Sequence, residues 1–177
     1  MIGHIVRLTF GEMMRVRDAA GFRETVAHIR QYRDRFTEDP PFRVHERGAS
    51  AELAWAKYID RHWDGCLLRS DGGAPDVCGW HIRYAKRIDG PLIIRDPDVV
   101  PEPFVLFTGD MPDLTIRGWY PASEVVRHPN WRVIEQDRPP CYKVPPSALF
   151  DLDDTRLRLD PTRFARQVMT LYTMGRA

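Results

Sequence analysis

The sequence predicts one domain of mixed helix and strand: an α/β fold bordering on α+β, with a mixed β-sheet flanked by helices. Three observations lead there. The 177 residues suffice for one well-cored domain and fall short of two. A first strand and two helix-spaced stretches precede a cluster of short strands, and a final helix follows, with no repeat or linker. The composition, 43% hydrophobic and 29% charged, is that of an ordinary soluble globular chain.

The elements follow in order. His4-Ile5-Val6-Arg7-Leu8-Thr9-Phe10 alternates as a strand does. From 11 to 36, Met13, Val16, Ala19, Ala20, Val26, Ile29 and Phe36 recur at helical spacing, with Gly21 as a point of interruption. Arg15, Arg17, Arg23, Arg30, Arg33 and Arg35 fall mostly off that stripe and read as a solvated face. Thr37–Phe42, with Pro40-Pro41, reads as a loop. A second helix is expected over 46–63, where Ala49, Leu53, Ala56, Ile59 and Trp63 form one stripe. After a polar, Gly-rich loop at 64–74 come strands at 77–84, 91–95, 103–108 and 114–120. Asp89-Gly90 predicts a hairpin joining the first two, with 77–84 central in the sheet. Pro121-Ala122-Ser123-Glu124 opens a short helix. Pro129, Pro139 and Pro140 keep 128–140 largely irregular. Cys141–Val144 is the last strand, and 161–173 a helix in a C-terminal extension, 151–177.

Several function classes drop out. Net charge is +1, so any attraction to nucleic acid must be local. Of 26 basic residues only Lys57, Lys86 and Lys143 are lysines, which reads as GC-rich coding. No apolar run approaches a membrane span, and Met1–Phe10 lacks the pattern of a cleavable signal. Three cysteines argue against a disulfide framework, so a cytoplasmic setting is expected. No Ser-His-Asp elbow, phosphate-binding Gly-rich loop or dinucleotide fingerprint occurs.

Candidate chemistry centres on Glu52 and on Pro75-Asp76-Val77-Cys78-Gly79-Trp80-His81-Ile82-Arg83. Glu52 lies inside the apolar stripe of its helix, three residues after Ala49 and four before Ala56. A carboxylate there is costly unless paired or bound to a metal. Two readings stand: an ion pair with Arg47 or Arg83, or a metal ligand. Asp76 opens a strand, as a turn residue or as a second ligand. His81 and Arg83 alternate onto one strand face, with Ile82 opposite. Two carboxylates of this kind suit Mg²⁺, while Arg83 suits a phosphate oxygen and His81 a proton relay. His62-x3-Cys66 with Cys78-x2-His81 is a rival Zn²⁺ set.

The run Gly48-Ala49-Ser50-Ala51-Glu52-Leu53-Ala54-Trp55-Ala56-Lys57, with Trp63, Pro75-Asp76-Val77, His81-Ile82-Arg83, Leu92-Ile93-Ile94-Arg95, Val105-Leu106, Ile116-Arg117-Gly118-Trp119 and Val144-Pro145-Pro146-Ser147-Ala148-Leu149, resembles small phage and prophage proteins of the PD-(D/E)XK nuclease-like superfamily. The resemblance covers about residues 4–150. It implies a restriction-endonuclease-like domain over 1–150 that acts on DNA with Mg²⁺ in the bacterial host's cytoplasm. Glu52 then matches the helix carboxylate and Asp76 the Asp of the Pro-Asp element; both are metal ligands. His81 stands where the family has Asp or Glu, and Arg83 where it has Lys, so cleavage is expected to be weak or absent. Lys57 is the nearest substitute lysine, five residues past Glu52 and roughly 140° around the helix. The alternative is an inactive member that binds nucleic acid or a phage protein.

Overall fold

The computed structural model describes residues 3–30, 39–65, 75–96, 101–135 and 139–152. The end of the first expected helix (31–36) and the expected C-terminal helix (161–173) lie outside those residues. In chain order the elements are β1 (His4–Arg7), α1 (Phe10–Ile29), α2 (Pro41–Tyr58), β2 (His81–Tyr84), β3 (Leu92–Arg95), β4 (Pro103–Thr108), β5 (Asp113–Pro121), β6 (Arg132–Val133) and β7 (Cys141–Val144).

Thr9 ends the first strand by capping the helix. Its hydroxyl accepts from the Glu12 amide at 3.3 Å, and the Glu12 carboxylate accepts from the Thr9 amide at 2.6 Å. This reciprocal box satisfies two of the N–H groups that a helix start leaves over. Phe10 therefore belongs to α1 and not to the strand. The second helix also starts earlier than its apolar stripe suggests. Proline at the first helical position gives up an N–H that would have no partner there, so Pro40-Pro41 opens α2 instead of holding a loop. α2 ends at Tyr58, before Trp63, and Asp60 turns the chain at φ +52°. Every residue from Ala49 to Ala56 is buried, because α2 lies between α1 and the sheet. Ala49, Ala51, Ala54 and Ala56 let both neighbours approach.

The strands form two sheets. The first is mixed and four-stranded, in the order β1-β5-β4-β2, with β4 parallel to β2 and the other pairs antiparallel. The second is antiparallel, in the order β3-β7-β6. All six residues of β4 are buried, which explains the continuous apolar run at 103–108. Val105 and Phe107 pack toward the helices, with Ile82, Leu114, Trp55 and Trp119. Phe104 and Leu106 pack toward the second sheet, with Leu92, Ile94, Tyr142 and Val144. The result is a mixed α/β fold of three layers: helices, mixed sheet, small sheet. The expected mixed sheet, the helix packed on it and the strands near 114–120 and at 141–144 are all present.

The expected hairpin of 77–84 with 91–95 is not. The chain does turn at Arg87–Gly90, where the Gly90 amide donates to the Arg87 carbonyl at 2.9 Å, but β3 leaves for the other sheet. The reason lies on β2. Ala85 donates toward β4, to the Phe107 carbonyl, so Ile82 points its backbone groups to the outer edge. There the Ile82 amide donates to Asp76 Oδ2 at 2.7 Å, and the Ile82 carbonyl accepts from Arg83 at 3.1 Å. An edge closed by its own side chains has no place for another strand. β2 is accordingly an edge strand, not a central one. It begins at His81, because Cys78 (φ +47°) and Gly79 (φ +85°) make a two-residue hairpin loop between Val77 and Trp80. The helix after Pro121 is a 3-10 turn, Ala122–Arg127, and Arg132–Val133 pairs with β7 inside the stretch read as irregular.

Candidate functional site

Glu52 is buried on α2, and its partner is neither Arg47 nor Arg83. Arg23, from α1, reaches both carboxylate oxygens at 2.8 and 2.6 Å, and the Trp63 indole N–H donates to Oε2 at 3.2 Å. The same guanidinium donates to the Gly65 carbonyl at 2.7 Å. The two-pronged match of guanidinium and carboxylate is the strongest ordinary ion pair in proteins. Burial nevertheless pushes the Glu52 carboxyl above its usual range, against the pull of Arg23, and the charge of Asp76 adds to the push. Arg23 therefore belongs to the buried face, not the solvated one. The signal is in the sequence, since it follows Val16 by seven residues, Ala19 by four and Ala20 by three.

Asp76 is close enough to Glu52 to be felt electrostatically, and it sits 3.7 Å from the Arg83 guanidinium. Glu52 and Asp76 thus form a pair of neighbouring carboxylates held between two guanidinium groups, Arg23 on Glu52 and Arg83 on Asp76. The His81 ring is buried and stacks on Phe104 at 4.4 Å, on the side of the second core. Arg83 also faces Phe104, its guanidinium 4.7 Å from the ring centroid. Lys57 is committed elsewhere: its ammonium donates to Glu12 at 2.8 Å and to the Arg7 carbonyl at 2.9 Å. Burial pushes Glu12 up, but the Lys57 and Thr9 hydrogen bonds outweigh it and hold Glu12 below its ordinary value.

The donor set can be tested against the metals the sequence suggests. Mg²⁺ demands nearly octahedral oxygen ligands and keeps most of its waters. Here both Glu52 oxygens receive guanidinium protons in a buried setting, and Asp76 Oδ2 receives a backbone amide. As arranged, the charge that meets Glu52 is the Arg23 guanidinium. Among the described residues no three His, Cys, Asp or Glu side chains gather as a metal would need. For Zn²⁺, Cys66 lies outside those residues, and Cys78 sits in the turn before Gly79.

A second feature has no counterpart in the local sequence pattern. Beside the outer edge of β2 lies a cleft of about 700 Å³, lined by Arg47, Arg83, Lys86, Arg87, Arg95 and Lys143 against two acids, Asp39 and Glu135. Its apolar lining includes Val44, Ile82, Pro91, Ile93, Leu106, Val133 and Pro139. Six cations in one cleft of a chain whose net charge is +1 are a marked local concentration. Several are held in place. Asp39 takes Arg47 at 2.6 Å and Lys86 at 3.2 Å, and Glu135 takes Lys143 at 2.8 Å. The Arg47 guanidinium also lies 5.5 Å from the centroid of the Tyr84 ring. Burial, with Asp110 close by, pushes the Tyr84 phenol above its ordinary value despite Arg47, so it stays protonated.

Comparisons with family models, with curated proteins and with solved structures find no match for this chain. Among the described residues, no helix is long and apolar enough to cross a membrane.

Proposed function

We propose that this protein binds DNA through the cleft beside β2, as a nuclease-like protein that cuts weakly or not at all. The observation that carries the reading is the lining of the cleft, six basic side chains to two acidic ones, with Asp76, Asp89 and Asp110 pairing with three of the six from outside it. Phosphates are the polyanions such a surface attracts, and guanidinium groups grip them with two donors each. Support for the superfamily comes from a buried acidic residue on a helix packed against a mixed sheet, with Asp76 beside it. Weak cutting follows from the arginines. Arg23 and Arg83 occupy the carboxylates on which phosphodiester hydrolysis would depend, and Arg83 stays protonated where a base would be needed.

The test is fluorescence anisotropy on labelled DNA between 50 and 200 mM salt, beside a gel assay with Mg²⁺, Mn²⁺ or chelator. About four phosphate contacts should weaken binding roughly 50-fold (single strand) to 150-fold (duplex) across that range. Cleavage should not exceed the chelator control. Metal-dependent cleavage that Asp76→Ala abolishes would overturn the weak-cutting half. Salt-insensitive binding, or none, would overturn the DNA half in favour of a protein-binding phage accessory.

A further inference from the structure

We infer that the cleft receives an extended single strand of nucleic acid, not a duplex, and that Ile93 is the surface on which a base rests. The inference depends on the proposed binding of nucleic acid and specifies its form. The first argument is shape. Proteins that read duplexes offer a convex helix or ribbon to a groove about 12 Å wide, whereas here the basic surface is concave. Its 700 Å³ holds about two nucleotide units, on the scale of clefts that close around drug-sized ligands.

The second argument is the alternation on the small sheet. Leu92 and Ile94 are buried against the mixed sheet, while Ile93 and Arg95 point outward to the cleft. The register sets Ile93 opposite Lys143 and Arg95 opposite Cys141. The cleft floor thus carries an apolar side chain, 43% exposed, beside two cations. Single strands are held in this way, by cations along the backbone and apolar or planar surfaces under the bases. Arg47, its guanidinium 5.5 Å from the Tyr84 ring centroid, and Tyr84 itself also line the cleft and add a cation beside an aromatic ring. The chemistry recognised is phosphate plus base face, which DNA and RNA strands share.

Anisotropy should be measured with a labelled single-stranded DNA 10-mer, the matching RNA 10-mer and a 20-base-pair duplex. The proteins are the full chain and its Ile93→Ala, Arg95→Gln and Lys143→Gln variants, each with its melting temperature recorded. Single strands should bind at least ten times more tightly than duplex, and the ratio of DNA to RNA identifies the source. Arg95→Gln and Lys143→Gln should each flatten the salt dependence of single-strand binding by about 0.7 in log–log slope. Ile93→Ala should weaken it several-fold with the slope unchanged. Duplex binding as tight as single-strand binding would overturn the inference and leave the proposed function standing, whereas three variants that bind single strands like the parent would overturn both the inference and the cleft as the binding surface. Failure of every nucleic acid to bind would overturn the proposed function itself.

Discussion

Replacing Arg23 by methionine tests whether the Arg23–Glu52 pair is an internal strut of the helical layer. The substitution keeps the length of the side chain and removes two charge-assisted bonds to Glu52, at 2.8 and 2.6 Å, and one to the Gly65 carbonyl, at 2.7 Å. Breaking a buried pair from one side costs about 3–5 kcal/mol, because the remaining charge is stranded. The side chains of Arg23 and Glu52 are 17% and 10% exposed, so some water reaches them, and about 3 kcal/mol is the expected loss. For a chain of this length that lowers the midpoint by about 6–12 °C. Urea unfolding followed by tryptophan fluorescence reads it directly, since Trp63 donates to Glu52. The pH dependence gives a second readout. Glu52 already titrates above its ordinary 4.5, through burial, and losing Arg23 moves it further up. A carboxyl raised on folding favours the fold below its unfolded pKa, and that favour is lost as pH rises through the folded value. The deficit of Arg23→Met should therefore widen as pH rises above the value at which Glu52 titrates in the parent, which lies above 4.5. The double variant Arg23→Met/Glu52→Met should lose less than the sum of the single variants, by about 2 kcal/mol. Additive single losses below about 1 kcal/mol each, flat with pH, would refute the strut.

The remaining predictions concern single positions. Asp76→Ala should cost about 1–2 kcal/mol by leaving the Ile82 amide on a bare edge, while Asp76→Asn, which keeps an acceptor, should cost less than half as much; urea midpoints separate the two. Light scattering should show Asp76→Ala self-associating more than the parent, because an uncapped edge strand pairs. Gly118 sits at φ +133° beside the irregularity between β4 and β5, where a Cβ would come within 2.6 Å of the Phe150 carbonyl oxygen. Gly118→Ala should therefore cost about 2–3 kcal/mol in the same assay. Lys57→Ala should change stability by less than about 1 kcal/mol and leave DNA binding untouched, since its ammonium is half-exposed and occupied by Glu12 and the Arg7 carbonyl.

The parts of the fold legible in the sequence are those whose burial writes a simple pattern. β4 is covered on both faces and shows as an unbroken apolar run, and β5 and β7 show as alternation. The second helix is legible by its stripe but its start is not, because Pro40-Pro41 serves equally as loop and as helix start. Strand partners were not legible. Asp89-Gly90 says that the chain bends, not where it goes, and the Asp76–Arg83 cap that excludes β3 is a tertiary arrangement. Cys78-Gly79 hid a turn inside an alternating stretch because it lacks the Asn or Asp that usually marks one. At the site, Glu52 is legible as a charge on a buried stripe, and Arg23 is legible on α1 by the same spacing. The basic cleft had no local signature at all. Arg47 comes from α2, Lys86 and Arg87 from the turn after β2, Arg95 from β3 and Lys143 from β7, and only folding brings them together.

β4 is a wall held in common by two rooms. Phe104 and Leu106 furnish one side of it, Val105 and Phe107 the other. Between the parallel neighbours β2 and β4 the chain travels out to the small sheet and back, so each room is stitched shut by strands of the other. Neither can empty while the other stays full. A cavity opened at Phe104 should loosen the amides of α2 as surely as those of β7, and hydrogen exchange in both should slow and quicken together. Heat and urea then act on a single cooperative unit, in which the surface that would meet DNA cannot melt apart from the helices behind it.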